Sequence, residues 1–525
     1  MAKKETNINK SNVNKSNANK RNVNRAASGK TNPKRKTRSR RISTKNIGNT
    51  ASEITANRKT NKVVVSTMII FSILFLAMAG YYAYFVSVES KKIAKNEYNK
   101  RFDSFSQTVT RGSILSDSGE ILAYTKEVDG KEERIYPFGK LFAHAVGLYN
   151  YGQTGIELAY NYDLLNSTVD GIEEIKNEFS GEKLEGDNVV TTLNRKLQEK
   201  AYKAMGKNDG AVIALDPETG KVVSMVSNPT FNPNKVGEMW DKWLSDDSKS
   251  SVLLNRVTQG LYTPGSTFKI FTATEYLKEH DGSDDEFLYH CSGVQSFNGF
   301  KMRCYGNSYH GNEDLKEAFA NSCNGAFATI GTELDLNKFS TNMEKRFFFN
   351  TQIPIDLKTN QSKFSLSAND SEFDITQTAI GQGKTLVTPM HMAIIVDAIA
   401  NEGYLIKPHI VDKVQNSNGK VVKEFDRESY GRVFSKNEAA KLKEYMRAVV
   451  EQGTARSLNG RGYDAYGKTG TAQLNKETDK VNSWFVGWAE KDGKKLCVCV
   501  VIENVSEGSA SATETAGKVF DEYFK

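Results

Sequence analysis

The chain has 525 residues, a formal net charge of +8 and a hydrophobic content of 38%. Those values supply enough apolar material for two or three domains with real cores and exclude a wholly disordered polypeptide. The basic balance is local: residues 1–62 hold 18 Lys and Arg against 2 Asp and Glu, a net of +16, so the rest is net −8 and gives no reason to expect a nucleic-acid partner.

Residues 1–62 are rich in Asn, Lys, Ser and Arg with almost no large apolar side chains, a composition expected to remain a disordered tail. The tail ends against Val63–Val86, an uncharged run of 24 residues. At about 1.5 Å per residue this run is long enough to cross a bilayer. Tyr81, Tyr82 and Tyr84 mark its far interface, and the cationic tail assigns the N-terminus to the cytoplasm and everything after Ser87 to the outside. Ala77-Met78-Ala79 resembles a cleavage site, but the run is too long and its leader too extended, so an uncleaved anchor is expected.

Residues 87–186 are charged and loop-rich and read as a non-catalytic pedestal. From Asp187 the texture changes. NVVTTLNRKLQEKAYKAM reads as a strand entering an amphipathic helix, and GAVIALDPETGKVVSMVS as a hairpin turning at Pro217–Gly220. Near the end, NSWFVGWAE and KKLCVCVVIEN form another hairpin about Asp492-Gly493, and TAGKVFDEYF a closing helix. Strands at both ends with helices between predict an α+β domain over residues 187–525, its antiparallel sheet shared by the domain's termini and its central helices packed on one face.

Three strings in that domain carry chemistry. Pro264-Gly265 forces a turn before Ser266-Thr267-Phe268-Lys269, and Phe268, Ile270, Phe271 and Leu277 then supply a buried helix. Residues i and i+3 share a helix face, so Lys269 reaches the Ser266 hydroxyl; the same spacing at Ser180/Lys183 and Ser417/Lys420 falls in turn-forming sequence. A lysine with a pKa near 10.4 acts as a base at pH 7 only if burial or a neighbouring cation lowers it. Lys468 is the expected neighbour. Ser322-Cys323-Asn324 lies where Ala318, Phe319, Ala326, Phe327, Ile330 and Leu334 recur at helical spacing, which places Ser322 and Asn324 on the edge of one apolar helix. Their side chains suit a proton relay and an amide contact to a substrate backbone, although cap or surface decoration is the plainer reading of that string alone.

The third string, Lys468-Thr469-Gly470, sits in GYDAYGKT, a formal match to the phosphate-loop pattern. RSLNGR before it and TGTAQLNKETD after it supply neither the strand nor the helix such a loop requires. An edge strand fits better: Gly470 permits close approach of a substrate backbone, while Thr469 and Thr471 present hydroxyls beside the Lys468 ammonium, a combination suited to a carboxylate. Among the cysteines, Cys291 and Cys304 bracket a loop in a spacing compatible with pairing, and Cys497 and Cys499 share one face of an apolar strand. Without a CxxC pair or HExxH, no metal site is expected.

With these residues in place the chain resembles a class B penicillin-binding protein, the monofunctional transpeptidase type. The marks of that resemblance run from Arg111 to the C-terminus: RGSILSDSGEILA at 111, TGIELAYN at 154, GAVIALDPETGKVVSMVSNPTFNPN at 210, TPGSTFK at 263, SCN at 322, IGQGKTLVTPMHMA at 380 and YGKTGTAQ at 466. The resemblance implies a cofactor-free D,D-transpeptidase that crosslinks peptidoglycan stem peptides ending in D-Ala-D-Ala and is trapped by β-lactam antibiotics. Ser266 is the implied nucleophile and Lys269 its base. Ser322 and Lys468 complete the implied proton path, Asn324 contacts the substrate backbone, Thr469, Gly470 and Thr471 bind the terminal carboxylate, and the amides of Ser266 and Thr471 form the oxyanion hole. The stretch before residue 187 is too short for a glycosyltransferase domain, so a separate polymerase of the shape, elongation, division and sporulation (SEDS) type is the implied partner. A D,D-carboxypeptidase or endopeptidase, a β-lactamase and a catalytically idle scaffold for a wall polymerase remain open alternatives here.

Overall fold

The protein is described by a computed structural model covering residues 47–89, 106–169, 177, 180–245, 251–474, 480–506 and 508–525. Two compact units result, Met1–Phe85 and Val86–Lys525. In the first, one α-helix spans Ile47–Tyr84, so it begins inside the segment expected to be disordered; residues 1–46 lie outside the described residues. From Asn61 the helix is apolar enough, with a mean hydropathy of 2.4, to cross a membrane. Its large side chains, such as Ile70, Phe71 and Phe75, are exposed, as a lipid-facing helix requires.

In the second unit a five-stranded antiparallel sheet runs in the order Asp464–Gln473, Lys480–Lys491, Lys494–Ser506, Gly210–Leu215, Val222–Asn228. Both hairpins thus form where turn residues interrupt the apolar runs. Register fixes what each face meets, because side chains alternate along a strand. Lys468 lies opposite Val486, and Val486 opposite Cys499, so these three share a face. Phe485 and Val500 occupy the other face, where Phe485 meets Phe520 of the closing helix Ala512–Tyr523. The Lys468 face is covered by the helix Pro389–Ala400, all of whose side chains are buried. Trp484 and Trp488 on this face are also fully buried. Burial of an aromatic of that size stabilises by roughly 1.5–3 kcal/mol.

A second sheet, of six strands, joins Ile114–Leu115, Ile121–Val128, Lys131–Ile135 and Asn188–Thr191 to Val411–Gln415 and Val421–Glu424. The stretch before residue 187 therefore does not close its own sheet. Two strands from the far side of the chain return to complete it. A buried charge cluster lies beside it: Arg111 and Arg134 each donate Nε to one oxygen of Glu157 at 2.7 Å, and all three side chains are 3% exposed or less. Burial alone would raise the Glu157 carboxyl, but the Arg134 and Arg111 guanidiniums together hold it below its ordinary range.

Candidate active site

Ser266 sits in a 3₁₀ turn, Gly265–Phe268, that runs directly into the α-helix Lys269–Glu279. This turn is wedged between two backbones. A Cβ on Gly265 (φ +55°) would lie 2.9 Å from the Thr471 carbonyl oxygen, and one on Gly381 would overlap the Gly265 carbonyl oxygen at 1.9 Å. The Gly265 amide donates to the Gly381 carbonyl at 2.9 Å. The serine is thereby fixed against the strand that carries Lys468.

Gly470 belongs to the same wedge. A Cβ there would stand 3.0 Å from both the Pro264 carbonyl oxygen and Thr267 Cγ2, and 3.2 Å from Trp484 Cβ. The serine's own turn is thus a close neighbour that already demands glycine at this position.

The SCN string departs from its expected form. The apolar pattern is carried by two helices, Leu315–Ala320 and Asn324–Glu333, and Ser322 occupies the break between them with φ +57°. Left-handed backbone is disfavoured for any residue bearing a Cβ, so tertiary contacts must hold it. Those contacts are the two lysines. Lys269 Nζ donates to the Ser322 carbonyl at 2.7 Å, to Ser322 Oγ at 3.3 Å and to Asn324 Oδ1 at 2.8 Å. Lys468 Nζ donates to Ser322 Oγ at 2.8 Å and to the Thr469 carbonyl at 3.4 Å. Residues at opposite ends of the domain converge on one serine.

Both ammonium groups are fully buried. Burial brings Lys269 down to about 8 from the usual 10.5. Lys468 is lowered still more strongly, by burial first and then by repulsion from Lys269. The sequence expected Lys468 as the cation beside Lys269, and repulsion between two buried ammoniums acts on both. Lys269 has a carbonyl and an amide oxygen at short range, whereas Lys468 has one hydroxyl and a distant carbonyl.

Above the lysines lies a cleft of about 400 Å³ lined by Ser266, Ser322, Asn324, Thr469, Gly470 and Thr471. Every residue singled out from the sequence therefore either lines this cleft or bonds to a residue that does. Thr454 and Gln382 line it as well and were missed. Thr454 shares a 2.5 Å hydroxyl contact with Thr469, and Gln382 Nε2 donates to the Thr471 carbonyl at 3.4 Å. Gln382 lay within a noted string, IGQGKTLVTPMHMA, and polar side chains flanked by glycines there were the available signal.

Residues 210–523 match the penicillin binding protein transpeptidase domain, and residues 111–189 the penicillin binding protein A dimerisation domain. The chain belongs to the penicillin-binding protein transpeptidase family. Within it, the peptidoglycan D,D-transpeptidase PbpA of Mycolicibacterium smegmatis is 29% identical over 475 residues, covering 85% of this chain and 94% of that protein. The D,D-transpeptidase domain of a peptidoglycan glycosyltransferase from Eggerthella lenta is 30% identical with a TM-score of 0.70, covering 79% of this chain and 98% of its own. The penicillin G acyl-enzyme complex of penicillin-binding protein A from M. tuberculosis is 28% identical with a TM-score of 0.71, covering 79% and 100% respectively.

Beside the transpeptidase motifs lies a group the spacing of cysteines did not announce. Cys291, Cys304 and Cys323 are all buried and free, with Sγ–Sγ separations of 3.7 Å for Cys291–Cys304 and for Cys304–Cys323. The disulfide read as compatible with the sequence is not formed. His310 joins them, so that one ligand atom from each of the four lies within 4.8 Å of the others. This overturns the expectation that nothing resembles a metal set. The four are separated by 13, 6 and 13 positions, outside the short ligand repeats that identify zinc modules by eye. The other two cysteines, Cys497 and Cys499, are core residues of the central sheet.

Proposed function

We propose that this class B penicillin-binding protein is a membrane-anchored peptidoglycan D,D-transpeptidase working through a Ser266 acyl-enzyme. The observation that carries the reading is the convergence of Lys269 and Lys468 on Ser322 beneath a cleft that Ser266 lines. Neutral Lys269 takes the Ser266 hydroxyl proton as Oγ attacks the penultimate D-Ala carbonyl of a stem peptide. The tetrahedral oxyanion is received by the Ser266 and Thr471 amides, a stabilisation worth about 3–4 kcal/mol per donor in comparable sites. The C–N bond then breaks, and the departing D-Ala amine takes a proton from Lys468 through the Ser322 hydroxyl. The proton on Lys269 then passes through the Ser322 hydroxyl to Lys468, which restores both groups. An amine from a neighbouring stem peptide attacks the ester, gives its proton to the neutral Lys269, and that proton returns to Ser266 Oγ as the ester C–O bond breaks and the new peptide crosslink forms.

Thr469, Gly470 and Thr471 hold the terminal carboxylate. Its charge, arriving beside Lys468, favours the ammonium form that burial otherwise disfavours, so docking of the correct end charges the acid needed for leaving-group protonation. A β-lactam follows the first half of this path and stops. Labelled penicillin should modify the wild type covalently and leave Ser266→Ala unlabelled; a label retained on another serine rejects the assignment.

The same reading assigns residues 1–62 to the cytoplasm, 63–86 to the membrane, 87–186 to an extracytoplasmic pedestal and 187–525 to the catalytic domain. Protease accessibility in intact cells tests that orientation: digestion of the tail from outside would reverse it. A SEDS-type glycosyltransferase is the partner proposed to supply strands for crosslinking, and co-purification through the anchor and pedestal tests it.

A further inference from the structure

Cys291 ends the strand Tyr289–Cys291, Cys304 follows the strand Phe300–Arg303, His310 precedes the strand Gly311–Glu313, and Cys323 is the N-cap of the helix Asn324–Glu333. Four separate elements thus deliver three buried sulfurs and the partly exposed His310 imidazole to one point at the cleft wall. We propose that this point is a closed, four-ligand zinc site that fixes the SCN motif and one wall of the substrate cleft.

The distances discriminate between a metal and the alternatives. A disulfide needs sulfurs about 2.05 Å apart. Tetrahedral zinc with Zn–S bonds of about 2.3 Å sets its sulfurs about 3.8 Å apart, the edge of the tetrahedron. The two Sγ–Sγ separations here are 3.7 Å. Soft thiolates with one imidazole select zinc over magnesium or calcium, and four protein ligands leave no open position for a reacting water. The histidine supplies an independent sign: His310 Nδ1 and Glu313 Oε2 are buried without a hydrogen-bond partner, 3.6 Å apart. A carboxylate beside a ligating imidazole is the usual outer partner of such a centre. On binding, the metal forms three Zn–S bonds and one Zn–N bond, and any thiol protons leave to solvent.

The location gives the site its consequence. Cys323 lies between Ser322 and Asn324, the two residues that accept from Lys269. Cys304 and His310 bracket the segment that carries Tyr305 and Ser308 into the cleft lining. Glu313 Oε1 also accepts from Asn321 Nδ2 at 2.8 Å, tying the same cluster to the residue before Ser322. A metal here clamps both the left-handed serine and the cleft wall.

Metal content tests the site independently of any transpeptidase activity. Full-length protein purified in detergent from zinc-supplemented cells should carry one zinc per chain by elemental analysis and native mass spectrometry. Cobalt(II) put in its place should give the intense thiolate-to-metal absorption and tetrahedral visible bands of a sulfur-rich centre. Cys304→Ser and His310→Ala should each lose at least tenfold in zinc retention against a competing chelator, while Cys499→Ser retains the wild-type value. Metal removal should lower the melting temperature and slow penicillin labelling of Ser266. Wild-type protein without stoichiometric zinc and without the cobalt–thiolate absorption, or a Cys291–Cys304 disulfide in the isolated protein, overturns the proposal. So does zinc retained equally by His310→Ala. Should Cys304→Ser fail to fold, the cobalt spectrum of the wild type and the His310→Ala comparison decide.

Discussion

Lys269 and Lys468 direct their ammonium groups at the same hydroxyl, Ser322 Oγ, from 3.3 and 2.8 Å. Two like charges this close in a buried site are not both retained without cost, and they titrate as a pair. In the proposed mechanism one neutral lysine beside one charged lysine serves as base and acid, with the Ser322 hydroxyl between them to pass the proton.

Removing the base should therefore remove the chemistry. Lys269→Ala should slow acylation by labelled penicillin by at least about 10²-fold, the lower end of what a positioned general base contributes. Lys269→Arg should not rescue it, since a guanidinium stays charged and cannot accept the Ser266 proton. Stopped-flow acylation rates check this, and a rate within tenfold of wild type for either variant would remove Lys269 from its role.

The pH dependence follows with its sign. Burial lowers Lys269 to about 8, so the neutral base predominates above that value and is lost below it. The second-order acylation rate should rise with pH through about 8 and level off. Stability carries the same signature: between about 8 and 10.5 the unfolded chain binds the proton that the folded chain has released, so stability should rise with pH across that window. Below 8 the cost of burying the charge is constant. A rate profile flat from pH 6 to 9 would show that another group is the base.

Gly470→Ala separates the wedge from the chemistry. Its Cβ would press the Pro264 carbonyl and Thr267 at 3.0 Å, neither of which is the flexible end of a side chain. Overpacking of this kind costs about 1–3 kcal/mol. The expected outcome is a folded protein with a lowered melting temperature and a disproportionate loss of acylation, because the atoms displaced belong to the turn of Ser266. Unchanged acylation would mean that the turn is not held by the strand.

The Arg111–Glu157–Arg134 cluster tests the other sheet. Glu157→Gln leaves two buried guanidiniums short of a counter-charge, and breaking a buried pair this way typically costs about 3–5 kcal/mol. Because the Glu157 carboxyl is held below its ordinary 4.5, its stabilisation is present above that pH and lost as pH falls through the lower folded value. Chemical denaturation at pH 7 and pH 4 should show the difference between wild type and variant shrinking at the lower pH. A variant as stable as wild type at pH 7 would show the cluster to be dispensable.

Much of this was legible before any coordinates. Pro264-Gly265 and the apolar residues after Ser266 specified a turn into a buried helix, and Lys269 opens that helix with its ammonium donating to Ser322 and Asn324. Turn residues at Pro217–Gly220 and Asp492-Gly493 located both hairpins of the central sheet. Arg111 and Glu157 were noted only as parts of two strings; their pairing depends on folding across 46 positions and leaves no local trace. The same holds for the cysteine and histidine cluster, whose ligands come from four elements. The break at Ser322 was illegible for another reason. Two helices joined by three residues, one of them left-handed, preserve nearly continuous apolar periodicity, and the lysines that hold the bend are invisible from local sequence.

That bend yields the last prediction. Ser322 at φ +57° bears a conformational cost of roughly 1–2 kcal/mol for a residue with a Cβ, which glycine avoids. Ser322→Gly and Ser322→Ala both remove the hydroxyl shared by the lysines but keep the carbonyl that Lys269 uses. Ser322→Gly should therefore be the more stable of the two by about 1 kcal/mol, while both lose release of the leaving group to a similar extent. Turnover of a D-Ala-D-Ala peptide against melting temperature for the pair makes the comparison. Equal stabilities would show that the left-handed backbone is not strained in the folded protein, whereas full turnover in either variant would remove the hydroxyl from the proton path and leave Lys468 to protonate the amine directly.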